Sequence, residues 1–99
     1  MRFMDRYTIV LSEDPELGTW TASCPAMPGA AAEAPSRTAA IECIADVMVG
    51  WIEVGSREGF SPLEETAGLV ARAMADVLDD RAAEGWHLRV ETEIVRRAA

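Results

Sequence analysis
Cys24, Cys43 and His87 are the residues of this sequence with the widest chemistry. Two thiols and an imidazole are metal ligands. Structural zinc sites, however, pair their ligands at short spacing, as in C-x2-C, and these three stand far apart in the chain. A cysteine nucleophile needs a base and a group that orients it, and Cys24 with His87 are the candidates for such a pair. The plainer reading puts Cys43 in or beside the buried face of a helix and His87 on the solvent side of a strand. Carboxylates form two close pairs, Glu91 with Glu93 and Glu42 with Asp46. Either could hold Mg²⁺ for phosphoryl chemistry. Acids at these spacings are also ordinary on solvated faces, and the first strand carries no carboxylate from Arg6 to Ser12. There is no G-x-G-x-x-G, P-loop or G-x-S-x-G sequence. The expectation is therefore no metal, no cofactor and no enzyme.

Composition narrows the partners. The 99 residues carry a net charge of −8. Such a surface repels nucleic acid and anionic lipid and favours a basic partner. Arg96 and Arg97 make a small basic end, with nothing like a recognition helix, so direct nucleic-acid binding by this chain alone is not expected. No apolar run approaches the roughly 20 residues of a membrane span, and the N-terminal residues lack the pattern of a signal peptide. Two cysteines are fewer than a disulfide scaffold of this length usually has. The expected setting is a reducing cytoplasm with both thiols free. A chain of this size buries roughly two-thirds of its unfolded surface, enough for one modest core. Residues 1–99 are read as a single domain.

The elements that would position these residues follow from periodicity. "RYTIVLS", 6–12, alternates Tyr7, Ile9 and Leu11 against Thr8 and Val10, the period of a strand. "EDPELG", 13–18, is turn chemistry. "TWTASC", 19–24, alternates again, so the two strands form a hairpin. "PAMPG", 25–29, breaks the pattern, because proline fixes φ and lacks an N–H. "AAAEA", 30–34, taken alone reads as loop or helix, since alanine is a poor strand former. Residues 34–55 read as a helix with Ser36 as N-cap and Gly55 as stop. Its apolar stripe is Ile41, Ile44, Ala45, Met48, Trp51 and Ile52. Residues 61–85 read as a second helix, with Ser61 and Glu64 as a capping box and Pro62 at the first helical position. "WHLRVETEIVRR", 86–97, alternates as a half-buried strand. The pattern is α+β.

"YTIVLSEDPELGTWTASCPAMPGAAAEAPSRTAAIECIADVMVGWIE", 7–53, resembles the HicB family of bacterial antitoxins. The matching residues include Tyr7, Asp14, Pro15, Gly18 and Trp20, then the C-P-x-x-P-G of Cys24, Pro25, Pro28 and Gly29, then Ser36 and Ala40. The resemblance implies a partial RNase H-like fold: a three-stranded antiparallel meander, two helices and a final strand joining the sheet, β-β-β-α-α-β. It thereby makes 30–34 the third strand. It implies an inhibitor that covers a small basic RNA-cleaving toxin, HicA-like, and blocks its catalytic histidine. The helix and strand of 61–97 would stand in place of a separate DNA-binding module. Toxin contacts are expected at Met27, Glu42, Asp46 and Glu53, around the turn and the exposed face of the first helix. A homodimer or higher homo-oligomer is expected. Two alternatives remain: a diverged metal-dependent nuclease using Glu42, Asp46, Glu91 or Glu93, and an orphan oligomerisation domain with no toxin.

Overall fold
The computed structural model describes residues 6–82 and 89–96. The chain runs β1 (Arg6–Glu13), β2 (Trp20–Ser23), β3 (Ala31–Ala34), α1 (Arg37–Glu58), α2 (Ala67–Ala82) and β4 (Arg89–Arg96). The sheet order is β3-β2-β1-β4, and every neighbouring pair is antiparallel. This is the α+β arrangement the sequence pattern indicates.

β1 is an inner strand, paired with β2 on one side and β4 on the other, and residues on both of its faces are buried. Tyr7, Ile9 and Leu11 enter the main core beside Trp20 and Ala22 of β2. Val10 and Ser12, on the other face, are also buried. The β1–β2 loop is held by Asp14, whose Oδ1 accepts from the amides of Glu16 at 2.9 Å and Leu17 at 3.1 Å. This is the local bonding that makes aspartate a turn residue.

The alanine run is a strand, against its propensity. Register pairs Trp20 with Ala34 and Ala22 with Ala32. The small side chains let α1 lie close over β3, and Ala34, Ala40 and Ile44 share one core cluster with Trp20. Tertiary packing thus outweighs a weak local preference.

α1 begins as the sequence predicts: Ser36 Oγ accepts from the Ala39 amide at 3.1 Å. It ends four residues later than predicted. Gly55 is not the stop but a buried position inside the helix, where Phe60 folds back against it. A Cβ there would come within 2.6 Å of the Phe60 carbonyl oxygen. The helix stops at Gly59, in the left-handed region at φ 87°, whose N–H donates to the Gly55 carbonyl.

The second helix begins at Ala67, not at Ser61. Its cap is Thr66, whose Oγ1 accepts from the Leu69 amide at 3.1 Å. Residues 60–66 instead cross the molecule as an extended strap. Leu63 N–H donates to the Ala26 carbonyl at 2.7 Å, and the Glu65 carboxylate reaches Thr8. Those groups are committed to distant partners and so are lost to a helical turn at 61. A single helix between strands of one sheet usually returns the chain parallel. Here α2 adds a second reversal, and β4 runs antiparallel along the whole of β1. The predicted residues 83–88 and 97, with His87 and the Gly85 stop, lie outside the described residues. No helix among the described residues is long and apolar enough to cross a membrane.

Candidate functional site
The segment Cys24–Ala30 is two consecutive β-turns. The Cys24 carbonyl accepts from the Met27 amide at 3.0 Å, with Pro25 at the second position of the turn. The Met27 carbonyl then accepts from the Ala30 amide at 3.0 Å, with Pro28 second and Gly29 third. Gly29 has φ 88°, the conformation a type II turn requires at that place. The Cys24 amide closes the loop on the Ala30 carbonyl at 3.3 Å. Each proline sits where a fixed φ is an advantage and no amide is needed. C-P-x-x-P-G is therefore a structural device that delivers the chain from β2 to β3 in register. Gly29→Ala is expected to cost about 1–2 kcal/mol, the penalty for a side chain in the left-handed region. Urea denaturation reads this directly, and Gly29→Asn should lose less.

Within the turn, Met27 is 0% exposed and belongs to the main core. The expectation that it meets a toxin is corrected: the two turns fold its side chain inward, and nothing of it reaches the surface. What the turn does present outward is Pro28, whose carbonyl accepts from Trp51 Nε1 at 3.1 Å. Phe60 packs edge-on against the same indole, with ring centroids 4.9 Å apart. The turn is thereby fixed to the C-terminal half of α1.

The other expected contacts lie on the outer face of α1. Glu42, Asp46 and Glu53 are all exposed there. At 100° per residue the three fall within about 40° of one another, a single acidic row along the helix. Beside that row run Cys43, Val47 and Val54, also exposed. Cys43 was expected in or near the buried face. It lies instead on the outer face, because the residue after it, Ile44, is the one that points into the core.

The thiols do not come together: Cys24 is buried and Cys43 exposed, and both are free. Burial pushes the Cys24 thiol above its ordinary value, aided by the negative charge of Glu65 and opposed by hydrogen bonding from the Ala26 and Met27 amides. A buried thiol of raised pKa is a poor nucleophile. His87, its proposed base, lies outside the described residues. Among the described residues no group of three or more His, Cys, Asp or Glu side chains is placed to hold a metal ion. Glu91 and Glu93 occupy register positions opposite Leu11 and Ile9, whereas Glu42 and Asp46 lie on the outer face of α1.

No protein-family model, curated protein or solved structure matches this chain.

Sequence reasoning missed Glu65. It accepts from the Thr8 amide at 2.6 Å and from Thr8 Oγ1 at 3.0 Å. β2 pairs with β1 only from Val10 onward, so among the described residues no strand meets the Thr8 amide on that side. The carboxylate fills the place of the missing strand. An open groove of about 440 Å³ lies alongside, lined by Thr8, Glu65 and the first turns of α2. A sequence signal did exist: Thr66, a second capping residue after Ser61, allows the later helix start that frees Glu65.

Proposed function
We propose that this chain is a HicB-like antitoxin domain, a protein-binding module that neutralises a small basic RNA-cleaving toxin by covering its catalytic histidine. The observation that carries the proposal is the double turn of Cys24–Ala30, which links β2 to β3 and is tied by Trp51 to a helix with an acidic outer row. Each part of the antitoxin-like pattern thus has a matching structural role: meander, proline turn, Ser-capped helix. The sheet order β3-β2-β1-β4, with α1 on the meander, supports a partial RNase H-like relationship. The net charge of −8 suits a basic partner. The working form is a homodimer or higher oligomer in the cytoplasm, and the chain acts without catalysis, metal or cofactor.

The test is binding to a small basic protein encoded beside this gene, followed by calorimetry at low and high salt. Tight stoichiometric binding that weakens with salt supports the proposal. Absence of binding to such a neighbour overturns it in favour of an orphan oligomerisation domain. Neutralising the acidic row, as Glu42→Gln with Asp46→Asn and Glu53→Gln, is expected to weaken toxin binding by about tenfold and to flatten its salt dependence. Exposed charge pairs contribute roughly 0.2–1 kcal/mol each, so three add to about that factor. RNA cleavage that requires Mg²⁺ and disappears in the same variant would establish the nuclease alternative.

A further inference from the structure
The outer face of α1 carries a second feature besides its acids. Cys43, Val47, Gly50 and Val54 recur at i, i+4, i+7 and i+11, the seam spacing of helices that pack along one another. Val47 and Val54 are 37% and 41% exposed. Gly50 lies midway between them. A glycine inside a helix weakens it, so its presence asks for a reason. Among the other described glycines, Gly18, Gly29 and Gly59 adopt positive φ and Gly55 leaves room for Phe60, while Gly68, in the first turn of α2, shows no such role. Gly50 has neither. Its φ is not positive, and a Cβ built on it meets nothing within 4 Å. Nothing among the described residues requires that position to be bare.

We infer that the α1 outer face is a saddle for a partner helix, crossing at Gly50, with its apolar stripe on Val47 and Val54 and arginine or lysine flanking that stripe. A missing Cβ is what allows two helix backbones to approach closely. The cationic flanks follow from Glu42, Asp46 and Glu53, which border the seam on one side. A second copy of this chain is a poor occupant. It would set the same carboxylates beside the seam of its mate, in a chain already at −8. Arg57, at the far end of the seam, is one cation against three acids. This inference rests on the reading of the chain as a protein-binding module and names the element by which the partner is held.

The test uses the whole chain and a defined probe. The probe is a synthetic amphipathic helical peptide with an alanine–leucine stripe flanked by arginines. Its control carries glutamates at the arginine positions. Amide chemical shifts are followed during titration of each. The expected result is perturbation centred on Glu42–Val54 by the arginine peptide alone, and roughly tenfold weaker binding by Gly50→Leu. Gly50→Leu raises helix propensity and fills open space, so the variant is expected to fold, and its circular dichroism checks this. Perturbations spread over the whole acidic surface, no binding, or affinity unchanged by Gly50→Leu each overturn the inference. Oxidative trapping of a Cys43–Cys43 dimer at micromolar concentration also overturns it, because the face would then belong to a second copy. The antitoxin reading fails separately: a neighbouring basic protein that does not bind, while the peptide still docks on α1, removes the toxin and leaves the saddle.

Discussion

Met27→Ala is expected to destabilise the fold by about 2–5 kcal/mol, the range for truncating a fully buried methionine or leucine. Domains of this size have roughly 5–15 kcal/mol in total, so the variant is expected to unfold at a clearly lower urea concentration. The cause is position. Met27 is wholly buried, and its amide and carbonyl close the two successive turns of Cys24–Ala30. Truncation leaves a cavity where the turn meets the core, and the rigid turns cannot collapse to fill it. Met27→Leu keeps the volume and is expected to cost less than about 1.5 kcal/mol. The contrast with a surface contact is direct. On the proposed antitoxin function, partner affinity per folded molecule should be unchanged at a temperature where Met27→Ala is still folded. A variant of full stability with weakened binding would reverse this assignment and return Met27 to the interface.

The same residue shows what the sequence conveyed and what it withheld. Proline and glycine at Pro25, Pro28 and Gly29 announce turns, because their backbone limits are local and legible. Whether Met27, the second of the two residues between the prolines, points in or out is not local. It depends on how the second turn follows the first. Ser36 was readable for the same reason as Gly29: a cap is satisfied within one helical turn. Ser61 and Glu64 form an equally good local signal, yet no helix starts there. The competing bonds, from Leu63 to Ala26 and from Glu65 to Thr8, span distances in sequence that no local pattern carries. Ala31–Ala34 fails in the opposite direction. Its propensity argues against a strand, and only the helix lying above it makes alanine the fitting choice. Glu42, Asp46 and Glu53 were legible as an exposed row because helical period alone fixes their common side. Gly50 was not, since a glycine becomes informative only when the space around it is seen to be empty.

Glu65→Ala is expected to destabilise the protein by about 2–4 kcal/mol. Hydrogen bonds to a charged group contribute roughly 1.5–3 kcal/mol each, and part-burial at this site keeps the sum below two full bonds. The loss has two parts. The Thr8 amide, which β2 does not reach, is left without an acceptor, and the Thr8 hydroxyl loses its partner. The strap of 60–66 also loses its tie to β1 and keeps the bond from Leu63 to Ala26 in the double turn. Thr8→Val removes only the hydroxyl bond and retains shape, so its cost should lie at the low end of that range, about 1.5 kcal/mol. Glu65→Gln keeps an oxygen for the amide and an NH₂ for the hydroxyl, and should fall between the two. Hydrogen exchange separates local from global effects. In Glu65→Ala the amides of Thr8 and Leu63 are expected to exchange together and faster than those of Ile9 and Leu11. Equal acceleration throughout β1 would mean that the strap is part of the cooperative core. Unchanged stability would mean that water replaces the carboxylate at no cost, and that the start of α2 is set by Thr66 alone.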